Sequence, residues 1–230
     1  MGNMLSGLIA LIFVFQHRWL WVAGFVLLGI IFDFFDGLAA RGLGVSGALG
    51  LQLDSLADMV TSGVVPGFVM FFLLQDALHI NLLEHFEFSL LHLLPFIGLL
   101  VTLGSAYRLA KFNIDERQTS SFIGLPTPAN TLFIVSLPLI LYRQNDYDIS
   151  GLLLNPYTLI IISILSAYLL NAELPLFSLK FKSFTWKENK EKYILIVSSI
   201  ILIPLLKYIA IPAIIIWYIL LSILFKKPQN

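Results

Sequence analysis

The sequence predicts an all-α fold, a polytopic transmembrane helical bundle of about eight helices, with six or seven as the lower counts. Three observations predict it. Of 230 residues, 58% are hydrophobic and only 12% are charged, about half the roughly 25% charge of a soluble domain. The apolar residues fall in runs, at about 4–15, 19–35, 51–75, 90–107, 126–142, 152–170, 193–208 and 210–225, divided by polar or Gly/Pro punctuation. The basic residues sit almost wholly in alternate breaks between those runs.

Taken in order, the first run is short, has no basic flank and no small-residue cleavage site, and reads as a retained helix. The second opens on Trp19 and Trp21, which read as interface anchors. A Gly-rich connection leads to the third. The break from Gln75 to Ser89 carries Asp76, Glu84 and Glu87 but no Lys or Arg. The longest polar stretch, Lys180 to Lys192, reads as a cytoplasmic loop whose lysines can lie against anionic headgroups. Little more than Ile209 to Pro212 separates the last two runs, which is why the count ranges from six to eight. With a cytoplasmic N-terminus and eight crossings, Arg41, Arg108, Lys111, Arg117, Lys180, Lys182, Lys187, Lys190, Lys192, Lys226 and Lys227 are cytoplasmic, and only Arg18, Arg143 and Lys207 face outward. The positive-inside rule selects that orientation.

The whole chain, 1–230, reads as one integral membrane domain without repeat or low-complexity tract. Lys+Arg and Asp+Glu are equal at 14 each, which gives no reason to expect a nucleic-acid partner. The absence of cysteine excludes disulfides, thiol catalysis and thiolate metal sites. His17, His79, His85 and His92 have no mutual spacing that suggests a ligand set.

Asp33, Asp36, Asp54 and Asp58 are each embedded in apolar sequence, where an ionisable side chain is costly and usually functional. Asp33 and Asp36 are three apart near the end of the second helix, and Asp54 and Asp58 are four apart at the start of the third, so each pair lies on one helical face. The connection holding Arg41, Gly42, Gly44, Gly47 and Gly50 makes the two helices antiparallel neighbours and lets the pairs face each other. Four converging carboxylates repel unless neutralised, and one or two divalent cations do this most simply. Oxygen-only ligands favour Mg²⁺ or Mn²⁺ over zinc. The structural alternative makes the aspartates helix caps and partners of Arg41. Gly37, Ala40 and Gly50 permit either close helix packing or close approach of a nucleotide or phosphate, with Arg41 neutralising the phosphate.

Residues 33 to 58 read DFFDGLAARGLGVSGALGLQLDSLAD. They resemble the CDP-alcohol phosphatidyltransferase family, whose signature DxxDGxxARx8GxxxDxxxD is matched at every specified position. The resemblance implies a polytopic homodimer whose active site opens at the cytoplasmic membrane interface. It implies Asp33, Asp36, Asp54 and Asp58 as ligands of Mg²⁺ or Mn²⁺, two ions suiting four carboxylates, with Asp58 also the general base. It further implies Gly37, Ala40, Arg41 and Gly50 as the binding positions for CDP-diacylglycerol. Where the family often has a hydroxyl residue, six positions after the Arg, this chain has Gly47, and Ser46 just before it is the candidate contact. Residues 104 to 130, GSAYRLAKFNIDERQTSSFIGLPTPAN, and DSLADMVTSGVVPG from Asp54 resemble the bacterial and archaeal phosphatidylserine synthases of that family. Lys111 replaces their usual Arg and keeps the charge without the bidentate fork. The lead before the first helix is shorter than is usual in the family, with Asn3 and Gly7 as its remnant.

That narrower resemblance implies transfer of a phosphatidyl group from CDP-diacylglycerol to L-serine within the cell membrane, giving phosphatidylserine and CMP. Arg108, Lys111 and Asn113 would hold the serine carboxylate, and the Gly124–Pro128 turn would shape the entry of the fifth helix. C-terminal helices follow over 152–225. Three alternatives stay open on sequence: the same chemistry with glycerol 3-phosphate or inositol phosphate, a metal-dependent transporter, and an inactive scaffold.

Overall fold

The computed structural model describes residues 1–43, 47–115, 121–143, 149–178 and 185–225, with the side chains of residues 40, 41, 43, 121, 122, 143, 187 and 188 outside that description. Eight principal helices carry the chain: α1 Gly2–Phe15, α2 Trp19–Leu43, α3 Ala48–Leu78, α4 Leu90–Ile114, α5 Thr127–Arg143, α6 Pro156–Asn171, α7 Trp186–Leu206 and α8 Ala210–Leu224. A single turn, Ser150–Leu153, precedes α6. Two three-residue strands, β1 Ser121–Ile123 and β2 Pro175–Phe177, pair antiparallel with Phe122 opposite Leu176, a small addition to the expected all-α bundle. Helices α2, α3, α4 and the apolar stretch Asn189–Leu224 are long and apolar enough to span a bilayer, and α1, α5 and α6 are shorter apolar helices. The chain is an integral membrane protein. Lys207, at φ 51°, breaks the last stretch into α7 and α8 and so decides for eight helices among the described residues.

Helix α3 is the axis. Two thirds of its span (67%) is buried, against 17% for α2 and 11% for Asn189–Leu224, whose apolar surfaces therefore face outward. Pro66 lies inside α3 and has no N–H to give the Ser62 carbonyl four residues back. Just there the helix widens into a π-turn, Val60–Val64, with the Val65 N–H bonded to the Val60 carbonyl. Neighbouring helices take up the displaced carbonyls. Ser62 O accepts from Thr131 Oγ1 on α5 at 3.0 Å and from Ser105 Oγ on α4 at 3.4 Å. Gly63 O accepts from Thr102 Oγ1 on α4 at 3.0 Å, and Thr61 Oγ1 donates to the Asn3 carbonyl on α1 at 3.0 Å. Thr61, Ser62, Ser105 and Thr131 are fully buried, where an unpaired hydroxyl or carbonyl is expensive, so the collar fixes α1, α4 and α5 around α3.

Close approach is made possible by Gly7 and Gly29. A Cβ on Gly7 would stand 2.9 Å from Thr61 Cα, and one on Gly29 would stand 2.8 Å from Thr61 Cγ2. The main core joins α1 to α6 around Val26, Met70, Leu73 and Ile134. A smaller one, with Leu125, Leu176, Ile215 and Leu221, packs β2, α7 and α8 together. Gly124, at φ 79°, turns the chain from β1 into α5, with its N–H on the Leu174 carbonyl at 2.9 Å. This is the helix entry expected of the Gly124–Pro128 turn.

Two expectations are corrected. Trp19 is buried (5% exposed) and stacks on Tyr142, because the turn after α1 folds it inward; Trp21, at 58% exposed, keeps the anchor position. Asp76 belongs to the last turns of α3 rather than to a loop, because the apolar run continues to Leu78. Asn3, Asp33, Asp58 and Arg108 gather at one end of the bundle, and Arg18, Asp76 and Tyr142 at the other. Replacing Gly7 by Ala should destabilise the detergent-solubilised protein by about 1–3 kcal/mol, because backbone has to move. Gly24→Ala, whose Cβ meets nothing within 4 Å, should be neutral or slightly stabilising; equal melting temperatures for the two variants would contradict this packing.

Candidate active site

Asp33 lies toward the C-terminal end of α2, and Asp54 and Asp58 in the first turns of α3. The structure brings these three together: Asp54 is within side-chain hydrogen-bonding reach of Asp33, and Asp58 lies close enough to both for their charges to act on one another. Asn3, only 2% exposed, stands between them. Its Nδ2 donates to Asp58 Oδ1 at 2.9 Å and to Asp33 Oδ1 at 3.4 Å. Asp36, one turn further along α2, has its Oδ2 3.3 Å from the Met1 ammonium, with both groups exposed. Gly37 is half-buried, whereas Gly42, Gly47 and Gly50 have open space where a Cβ would stand. Close helix packing therefore does not explain the small residue at Gly50. Ser46 lies outside the described residues, as do the side chains of Ala40 and Arg41.

Arg108, Lys111 and Asn113 meet different surroundings. Arg108 is buried, with one long hydrogen bond from Nη2 to the Gly124 carbonyl at 3.5 Å and no partner for Nε. Its charge is felt by Asp58 and by Tyr218 of α8. Asn113 Nδ2 donates to Ser55 Oγ at 2.9 Å, tying the end of α4 to the turn of α3 that carries Asp54. Lys111 turns toward Glu173, 3.9 Å away. Of the three, Arg108 alone sits beside the aspartates with buried donor capacity to spare.

Three carboxylates in a partly buried volume with one amide donor repel each other strongly. Among the described residues none of Asp33, Asp54 or Asp58 has a Lys or Arg within ion-pair distance. An all-oxygen, multiply anionic set of this kind suits a hard divalent cation. Among the described residues no three acidic or histidine side chains converge on one ligation point, so the fit rests on donor chemistry and uncompensated charge. Asn3 Oδ1, buried and unpartnered beside the same carboxylates, adds a further oxygen.

The profile of the family described as CDP-alcohol phosphatidyltransferase matches residues 1–177, from α1 through β2. The chain belongs to this family. Reactions of the CDP-alcohol phosphatidyltransferases depend in general on divalent metal. The chain is similar to a CDP-diacylglycerol–serine O-phosphatidyltransferase of Bacillus subtilis, 35% identical over 59% of this chain and 70% of the relative. It is similar to a protein of the same name in Methanocaldococcus jannaschii, 31% identical over 66% of this chain and 63% of the relative. An archaetidylserine synthase of Methanothermobacter thermautotrophicus is 32% identical over 48% of this chain and 43% of its own length. Helices α7 and α8 lie beyond the family match, yet α8 supplies Tyr218 beside Arg108.

Sequence reading missed Asn3 and Tyr218 as members of the site. Asn3 carried a signal, a polar residue at the head of an apolar run; Tyr218 carried none, because only the tertiary fold brings α8 to Arg108. If repulsion among the carboxylates destabilises the metal-free protein, Asp33→Asn in chelator should melt above wild type. About 1 kcal/mol of relief corresponds to about 2–4 °C in a chain of this size. Mg²⁺ should then raise the melting temperature of wild type and not of the variant; a variant that melts lower in chelator would contradict the reading.

Proposed function

We propose that this chain transfers the phosphatidyl group of CDP-diacylglycerol to L-serine, releasing phosphatidylserine and CMP, with Asp58 as general base. One observation carries the proposal: the buried, under-bonded guanidinium of Arg108, in the stretch that resembles phosphatidylserine synthases, stands beside Asp58 of the intact phosphatidyltransferase signature. The relatives named for serine support the acceptor. Phosphorylated acceptors would call for a denser basic cluster than the under-bonded guanidinium of Arg108, which stands by itself beside Asp58 among the described residues.

Asp33, Asp36, Asp54 and Asp58 would hold the divalent metal, as Mg²⁺ or Mn²⁺ in two sites, and when bound it would offset the charge of the donor pyrophosphate and stabilise departing CMP. Asn3 holds Asp58 through Oδ1, which leaves Oδ2 to accept the proton of the serine hydroxyl. The serine oxygen bonds to the diacylglycerol-bearing phosphorus as the bond from that phosphorus to the bridging pyrophosphate oxygen breaks. Arg108 orients the serine carboxylate and Asn113 steadies the α3 turn through Ser55. Gly37, Ala40, Arg41, Ser46 and Gly50 would contact the nucleotide and phosphates, a reading that rests on the signature, and the open space at Gly47 and Gly50 leaves room for them. Phe34, Phe35 and Leu38, all exposed beside Asp33 and Asp36, give the acyl chains an apolar path that stays within the bilayer. The chain acts as one domain over 1–230, as a homodimer in the cell membrane with the site facing the cytoplasm.

The test is CMP release and incorporation of labelled serine into lipid by the purified protein with CDP-diacylglycerol and Mg²⁺ or Mn²⁺. Serine should stimulate release, and glycerol 3-phosphate and inositol should not; stimulation by either of those instead would remove serine as acceptor. Asp58→Asn should lose about 10²–10⁴-fold in kcat, and Asn3→Ala about 10–100-fold, as for a residue orienting a metal-site carboxylate. Arg108→Lys should raise KM for serine about tenfold and leave KM for CDP-diacylglycerol unchanged; an equal rise in both would place Arg108 elsewhere than on the acceptor.

A further inference from the structure

At the end of the bundle opposite the aspartates lies a cavity of about 440 Å³, within the roughly 300–1,000 Å³ of small-ligand sites. Its carboxylate is Asp76, whose Oδ2 accepts from Tyr142 Oη at 2.9 Å and lies 3.8 Å from His17 Nδ1. Its guanidinium is Arg18, in the turn between α1 and α2. Among the described residues Arg18 forms no ion pair, and the two opposite charges border one cavity without meeting.

The wall between them is rigid and aromatic. Trp19 is buried and stacks on Tyr142 with centroids 6.3 Å apart, while the His17 ring sets its edge against Trp19 at 5.2 Å. His17 is held there by a left-handed backbone, φ 52°. Trp21, half exposed on the same rim, lies where aromatic side chains meet the interfacial region of a bilayer.

We infer that this cavity binds a zwitterionic phosphate–ammonium group, the phosphate on Arg18 and the ammonium on Asp76. A guanidinium without an ion pair and, on the same cavity, a carboxylate whose partners are a tyrosine hydroxyl and a histidine ring rather than a Lys or Arg complement a ligand bearing both charges. An amino-phospholipid headgroup of that leaflet and a soluble phosphoamine share this chemistry. The site is separate from the reaction proposed above and stands if that reaction is another.

Native mass spectrometry of the full-length protein in detergent tests it. The probes are short-chain phosphatidylethanolamine, soluble glycerophosphoethanolamine, phosphatidylglycerol, which lacks the amine, and a cationic lipid that lacks the phosphate. One phosphatidylethanolamine should bind per chain, and Arg18→Gln should raise its Kd about tenfold. Because Arg18 is exposed, that variant keeps the fold; Asp76→Asn gives the same test from the ammonium side. Binding of the lipid alone identifies a lipid site, and binding of glycerophosphoethanolamine as well identifies a site for the headgroup itself. Equal binding of phosphatidylglycerol or the cationic lipid, or wild-type affinity in Arg18→Gln, overturns the inference.

Discussion

A single missing N–H organises this bundle. Pro66 cannot bond the Ser62 carbonyl, α3 opens into a π-turn, and the freed carbonyls recruit hydroxyls from α4 and α5 while Thr61 reaches α1. The extra residue in the turn rotates the segment Ala48–Met59 by about 100° relative to an unbroken α-helix. That rotation sets which face of α3 carries Asp54 and Asp58. The hydroxyl of Thr61 that fastens the turn bonds the backbone of the very residue, Asn3, whose amide lies on Asp58 and Asp33. Fold and site thus share one fastening, with Gly7 and Gly29 giving the clearance for it.

The same fastening holds an electrostatic tension. Hydrogen bonds from one amide cannot neutralise three neighbouring carboxylates, and among the described residues Arg108, whose charge Asp58 feels, stops short of an ion pair. A chain selected only for stability would relieve this with an apolar side chain or a bridging Lys. A divalent cation would offset that charge when bound.

Much of this was legible in the sequence. The apolar runs located all eight helices because membrane burial requires long uninterrupted segments, and Asp33, Asp54 and Asp58, singled out by their spacing, are side chains that the fold brings within electrostatic reach of one another. Three things were not legible. Asp36 shares the spacing of its neighbours but turns to the N-terminal ammonium, a difference of side-chain direction that spacing does not encode. Lys111 and Arg108 are one helical turn apart, yet one faces Glu173 and the other the aspartates, and only the tertiary packing of α4, chiefly against α6, separates them. The pairing of β1 with β2 joins segments too short to show a period of two.

The central claim, that the carboxylates at the facing ends of α2 and α3 form the cation site, is tested most directly by electron paramagnetic resonance of Mn²⁺ titrated into the purified protein in nanodiscs. Saturable binding in wild type, lost in Asp33→Asn and in Asp58→Asn and kept in Asp76→Asn at the far end of the bundle, is the result expected. Saturable binding that survives both Asp33→Asn and Asp58→Asn would contradict it.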